Sequence, residues 1–198
     1  MTIVSTTQPH ATARAARQSL YAVLSIVGFF ALTALAAQIK VLVPWSPVPA
    51  TLQPLAVLLA GLSLPPSAGV AAMLLYLVCG ASGLPVFSPD SLGLLGPTGG
   101  YLVGFVAAAW TIAVLRSRTG SSVAGMSIAA LGGTLVLFLC GALGLFFWAW
   151  LGGFDPISAV RHGSLPFVPK AFVEVGVAVS FITTIRGVHR YRVLKQQR

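Results

Sequence analysis

Polar residues fall in a few short stretches of this chain, and the apolar runs between them predict its elements. No charged residue lies between Arg17 and Lys40, so residues 20–43 predict a first helix. Pro44, Pro47 and Pro49 end it, because proline lacks an N–H and clashes with the preceding turn. Trp45 between them suits a membrane–water interface. From Val41 to Pro89 there is again no charge, which is too long for one crossing of about 20 residues. Leu64-Pro65-Pro66-Ser67 divides that run into residues 51–64 and 68–80. Both pieces are short for a crossing and are expected to be irregular or tilted into protein contacts. Residues 83–99, rich in Gly, Pro and Ser and carrying Asp90, read as a loop. A fourth helix is expected over 100–115, closed by Arg116-Ser117-Arg118. A fifth runs over 121–151, dotted with glycines. Residues 152–165 read as a polar loop with Asp155, Arg161 and His162. A sixth helix covers 166–185, and a basic tail follows from Arg186 to Arg198.

Composition turns these helices into membrane spans. Only 12 Lys+Arg and 3 Asp+Glu occur in 198 residues, and 57% are hydrophobic. A soluble domain carries about a quarter charged residues. A water-soluble enzyme is therefore excluded, and so is intrinsic disorder. Six spans use about 120 residues, which leaves short loops. The expectation is an all-α integral membrane protein, one six-helix domain over residues 1–198 in contact with membrane lipids. The apolar run after residue 18 exceeds the roughly 7–15 residues of a signal peptide, so the first helix is read as uncleaved.

Charge placement gives the orientation. With six spans, Arg14, Arg17, Arg116, Arg118 and the five basic residues from Arg186 onward share one side. Lys40, Arg161 and Lys170 lie on the other. The positive-inside rule then makes both termini cytoplasmic, namely residues 1–19 and the tail 186–198. The net charge of +9 does not predict nucleic-acid binding, because no basic stripe with interleaved aromatics is present. Cys79 and Cys140 lie within apolar runs and are read as buried packing.

The sequence offers little for catalysis. No Gly-x-x-x-x-Gly-Lys-Ser/Thr loop occurs, and no lysine follows the glycines of 93–100. His10, His162 and His189 stand apart, so neither a metal set nor a Ser–His–acid triad is expected. No catalytic residue, metal or bound cofactor is predicted.

Three clusters on the outer side concentrate special residues. In Pro47-Val48-Pro49-Ala50-Thr51-Leu52-Gln53-Pro54, Gln53 brings donor and acceptor atoms to the edge of an apolar segment. The same residues also suit a plain helix start, with Thr51 capping and Gln53 bonded to backbone. In the stretch from Gly83 to Leu102, Gly99 and Gly100 permit close approach of a ligand or a helix. Tyr101 adds a flat face with a hydroxyl, or serves only as an interfacial residue. In Pro166–Glu174, Lys170 and Glu174 stand four apart on one helix face. A carboxylate in an apolar helix is costly and often functional, though the pair also reads as mere mutual neutralisation. Thr33/Ala37 and Ala68/Ala72 are small-xxx-small pairs that allow helices to pack closely.

Taken together, Val48-Pro49-Ala50-Thr51-Leu52-Gln53, Gly83-Leu84-Pro85-Val86-Phe87, Gly96-Pro97-Thr98-Gly99-Gly100-Tyr101-Leu102-Val103-Gly104-Phe105 and Leu165-Pro166-Phe167-Val168-Pro169 give the chain its resemblance. It resembles the BioY family, the biotin-binding S-components of energy-coupling-factor (ECF) transporters, over residues 20–185. The resemblance implies a six-helix subunit of a prokaryotic cytoplasmic membrane that captures biotin from outside, beneath extracellular loops. It also implies a transmembrane coupling subunit meeting small residues of the first helix, here Ala31, Ala34 and Ala37, and cytoplasmic ATPases that use the ATP. Some members are considered able to act without that module. The family pattern continues Pro-Phe-x-Pro with Gly-Asp-x-x-Lys. This chain departs from it, with Lys170, Ala171 and Glu174 at the matching positions.

Biotin's chemistry distributes the candidates. Its ureido head takes donors and acceptors, here Gln53, Thr98 and Glu174, with Thr51 and Gly100 beside them. Phe87 and Tyr101 would wall its apolar body. Lys170, or else Arg161 or Lys40, would meet its carboxylate. The competing expectations are an S-component for a related vitamin or a biotin precursor, a membrane enzyme and a non-transporting scaffold.

Overall fold

The proline-rich segments organise the chain as barriers between helices. In a computed structural model, which describes residues 9–89 and 91–196, helix α1 spans Pro9–Gln38. It starts earlier and ends earlier than the expected 20–43. The reason for the early stop is a hairpin: β1 (Lys40–Val41) pairs antiparallel with β2 (Ala50–Thr51), Lys40 opposite Thr51 and Val41 opposite Ala50. Between them the Ser46 N–H donates to Val43 O at 2.9 Å, and Ser46 Oγ accepts from the Val48 N–H at 3.1 Å. The prolines, unable to donate to a ladder, sit in this turn.

Helix α2 (Gln53–Ser63) begins directly after β2, with proline in its first turn where the missing N–H costs nothing. Then come α3 (Pro66–Ala81), α4 (Gly99–Thr119), α5 (Val123–Leu151), α6 (Pro156–Gly163) and α7 (Val168–Gln196), with 3₁₀ turns at Gly93–Leu95 and Leu165–Phe167. Three expectations are corrected. The polar stretch 152–165 is not a simple loop, because Asp155 caps α6 by accepting from the Ile157 and Ser158 N–H groups at 3.1 and 3.3 Å. The basic tail is not separate from the last helix, since α7 runs through it to Gln196. Nor are the two short pieces irregular, for α2 and α3 are regular helices. Asp90, Arg198 and residues 1–8 of the expected N-terminal segment lie outside the described residues.

Helix α2 lies at the centre of the bundle. Seven of its eleven residues are buried, as expected of a helix apolar on every side. One face, with Val57 and Ala60, packs against Ala72, Met73 and Tyr76 of α3 and Phe105 and Ala109 of α4. The other, with Leu58 and Leu62, packs against Ile112, Met126, Ala129, Val175 and Ala178. Its C-terminal carbonyls are met by Arg116 of α4, which donates to Leu62 O at 2.7 Å and Leu64 O at 3.4 Å. A guanidinium suits that place, because unpaired carbonyls and the dipole make a helix C-terminus negative. Arg186 of α7 also points to this end, toward Met126 Sδ at 3.8 Å. Among the described residues, four stretches are long and apolar enough to cross a membrane: Ala16–Gln38, Gly99–Thr119, Val123–Leu151 and Pro156–Val188. Their outward residues, such as Leu24, Leu35, Leu135, Leu143, Val173 and Phe181, are large, apolar and exposed.

Helices α4 and α5 come into direct backbone contact at Gly100 and Gly144. A Cβ on Gly100 would meet Cys140 O and stand 2.7 Å from the Cα of Gly144. One on Gly144 would meet the Cα of Gly100 and stand 2.7 Å from its nitrogen. Backbone therefore lies on backbone here, and the crossing brings the next turns of both helices against a common cavity.

Candidate functional site

At the end of the bundle away from Arg116, the hairpin, the α3–α4 connection and the first turns of α2, α4 and α7 enclose a cavity. Its free volume is about 80 Å³, and its lining is mostly apolar with a few polar groups, as in small-ligand sites. Pro54, Val57, Leu102, Phe105, Leu137, Phe138 and Phe167 supply apolar walls. Among the described residues that line it, only Lys170 and Glu174 carry charge.

The hairpin delivers the first polar group. Gln53, buried at the start of α2, accepts from Thr51 Oγ1 at 2.9 Å through Oε1 and donates from Nε2 to Tyr76 Oη at 2.7 Å. Tyr76 donates in turn to Val86 O at 3.0 Å. The direction of every bond follows from the last. A carbonyl only accepts, so Tyr76 gives its proton to Val86 and must accept from Gln53, which turns the amide oxygen toward Thr51. Gln53 keeps one N–H and one lone pair uncommitted at the cavity wall. Tyr76 is fully buried and stacks edge-on against Phe87 at 5.3 Å. Tyr76→Phe leaves the Gln53 amide and the Val86 carbonyl short of a partner. It is expected to lower stability by roughly 1–3 kcal/mol, read as a lower thermal midpoint of the detergent-solubilised protein with its helix content intact.

The second polar group is the pair on α7. Lys170 Nζ donates to Glu174 Oε1 at 2.6 Å, with the glutamate side chain 7% and the lysine 29% exposed. The backbone N–H of Leu55, in the first turn of α2, also faces the Glu174 carboxylate. Helix α2 has no side-chain cap of its own, and its N-terminus favours an anion. Glu174 thus supplies from α7 the negative group that α2 lacks.

Tyr101 lines the cavity from α4 and reaches across to the α6–α7 connection. Its hydroxyl donates to Gly163 O at 2.9 Å and accepts from Ser164 Oγ at 2.6 Å. Ser91 and Thr98 share a hydroxyl–hydroxyl bond of 2.9 Å at the rim formed by the α3–α4 connection.

Of the residues expected at the site, Thr51, Gln53, Thr98, Tyr101, Lys170 and Glu174 line this one cavity. Phe87 and Gly100 do not. The Phe87 ring fills the space over Gly80 and against Tyr76, supporting the network from behind. Gly100 faces α5, so the close approach it permits is to a helix. Arg161 and Lys40 do not line the cavity either. The interface expected on α1 is altered by packing: Ala37 is fully buried within the chain and Ala34 packs on the core around Tyr76, while Ala31 is half-buried. Thr33, Ala68 and Ala72 are likewise buried inside the bundle. Sequence reasoning missed Tyr76, Ser88, Ser91 and Phe167. No group of three or more potential metal-ligating side chains occurs among the described residues.

The fold is that of a solved membrane-transport component. The chain superimposes with a TM-score of 0.75 and 20% identity on the S-component for biotin from an ECF-type ABC transporter, solved at 2.1 Å, covering 86% of this chain and 93% of that one. The sequence model of the BioY family matches residues 8–191. A probable biotin transporter BioY of Pyrococcus horikoshii is 37% identical over 169 residues, 83% of this chain and 96% of the relative. The biotin transporter BioY of Rhodobacter capsulatus is 35% identical over 177 residues, 82% and 92% of the two chains. That of Thermotoga maritima is 35% identical over 139 residues, 69% and 79%. The chain belongs to the BioY family.

Proposed function

We propose that this chain is the substrate-binding membrane subunit of a biotin uptake system, capturing biotin from the outer side of a prokaryotic cytoplasmic membrane. The observation that carries the reading is a mostly apolar cavity with one buried amide and one buried carboxylate, in a chain of the BioY family. In this reading Glu174 accepts from the two ureido N–H groups, and the spare N–H of Gln53 donates to the ureido carbonyl. Tyr101, Leu102, Phe105 and Phe167 hold the ring and chain.

The bundle crosses the membrane six times in this reading, with α2 and α3 as the short crossings and α6 lying along the outer face. The bond from Arg116 to the end of α2 supports this alternation, because it sets the C-termini of α2 and α4 at one end. That is the end where Arg116, Arg118 and Arg186 collect, hence the cytoplasmic one, and it leaves both termini inside. The exposed part of α1 near Ala31, facing outward with Leu32 and Leu35, remains available to a coupling subunit carrying ATPases. Binding by this chain needs no cofactor.

Titration of the purified protein with biotin should give saturable heat at one site per chain. Cells lacking the protein should lose uptake of labelled biotin at low external concentration. The absence of both effects would remove biotin as the ligand. The Lys170–Glu174 arrangement favours one second reading, a biotin precursor, which tighter binding of dethiobiotin than of biotin would establish.

A further inference from the structure

Ser88 stands in the connection between α3 and the Gly93–Leu95 turn, is only 6% exposed and lines the cavity. Among the described residues, its Oγ is the one buried side-chain polar atom without a hydrogen-bond partner. Burying a hydroxyl unpaired is costly, and native structures seldom do it without a reason. The other polar side chains around the cavity discussed above each have a partner within the protein: Thr51 with Gln53, Gln53 with Tyr76 while keeping one N–H spare, Ser91 with Thr98, Tyr101 with Ser164, and Lys170 with Glu174.

The same wall carries the N-terminus of α4. Thr98, immediately before it, lines the cavity but makes no cap, and its hydroxyl is engaged by Ser91. The positive end of a 21-residue helix thus lacks a side-chain anion, whereas that of α2 faces Glu174. The cavity therefore has an anionic wall, on α7 and α2, and an uncompensated electropositive one, on the α3–α4 connection. Lys170 is already matched by Glu174, so it brings no net positive charge to the cavity.

We propose that Ser88, with the first turn of α4, is the subsite for the ligand's carboxylate. A carboxylate is repelled by Glu174 and is stabilised by a hydroxyl donor at a helix N-terminus. The ligand then lies with its ureido head toward Glu174 and its acid toward Ser88. The inference rests on the reading of the cavity as a biotin site.

The test is calorimetric titration of the full-length protein in detergent with biotin and with biotin methyl ester, whose acid group carries no charge. The unaltered protein should prefer biotin. Ser88→Ala should weaken biotin by roughly tenfold or more while moving the ester by less than about threefold, because hydrogen bonds to charged groups are the stronger kind. Ser88→Cys, which keeps the volume and loses the hydroxyl, should do the same. The thermal midpoint should hold in both, since no bond within the protein is lost. Unchanged biotin affinity in a folded variant, or equal weakening of acid and ester, overturns the subsite. Failure of the unaltered protein to bind either compound overturns the biotin site itself, and the subsite with it.

Discussion

Glu174→Ala should weaken biotin binding by roughly a hundredfold or more, since two hydrogen bonds to a charged acceptor are lost at about 1.5–3 kcal/mol each. The same change removes the partner of Lys170 and the anion at the start of α2. Breaking a sealed ion pair costs about 3–5 kcal/mol. Here the lysine keeps access to water, with 29% of its side chain exposed, so the loss of stability should fall below that range and leave the protein foldable. Glu174→Gln keeps the shape and one acceptor and should bind with intermediate affinity. Glu174→Lys alone sets two cations four residues apart on one helix face, and binding should vanish. Adding Ala171→Asp supplies an acid on the adjacent buried position, which also lines the cavity, and should recover part of the affinity. Calorimetric titration of the four variants reads all of this. Affinity within about threefold of the unaltered protein in Glu174→Ala would take the carboxylate out of the site, because even one charged hydrogen bond is worth more than that.

What could be read in the sequence followed from contrast. Gln53, Lys170 and Glu174 stood out because polar groups are rare in apolar helices, and that rarity is itself physical. Tyr76 did not, although it is fully buried and joins Gln53 to Val86. A tyrosine inside Met73-Leu74-Leu75-Tyr76-Leu77-Val78 reads as one more apolar residue until the fold brings a buried amide to its hydroxyl. Ser88 was hidden in the same way, since serine is ordinary in a loop and its lack of a partner exists only in three dimensions. Phe87 is expected from its aromatic ring to wall the ligand's apolar body, yet that ring turns back onto Gly80 and Tyr76. Helix α6 was missed despite a readable signal: Asp155 followed by Pro156 is an N-cap and a first-turn proline. Its eight residues lack the apolar length by which the other helices were found. The six long or buried helices were legible as apolar runs between prolines, but not the ends of α1 and α7, since a hairpin stops α1 at Gln38 and α7 continues through the basic tail to Gln196.

Gly144→Ala is expected to do comparable harm without touching any polar group of the site. The added Cβ meets the Cα of Gly100 and stands 2.7 Å from its nitrogen, so no side chain can rotate away and the two backbones must separate. Overpacking usually costs about 1–3 kcal/mol, and a contact made only of backbone belongs at the upper end of that range. The displacement also reaches the cavity, because Tyr101, Leu102 and Phe105 of α4 face Gly133, Leu137 and Phe138 of α5 across it. Lower thermal midpoint and weaker biotin binding should therefore appear together, and Gly144→Val should prevent recovery of folded protein. Gly28→Ala in α1 and Gly176→Ala in α7 are the controls. A Cβ at either meets nothing within 4 Å, and removing a helical glycine gains up to about 1 kcal/mol, so both should match or exceed the unaltered midpoint. If Gly144→Ala kept both its midpoint and its affinity, α4 and α5 would have to cross farther apart than the Gly100–Gly144 contact requires. The wall that carries Tyr101 would then be held in place by something other than that crossing.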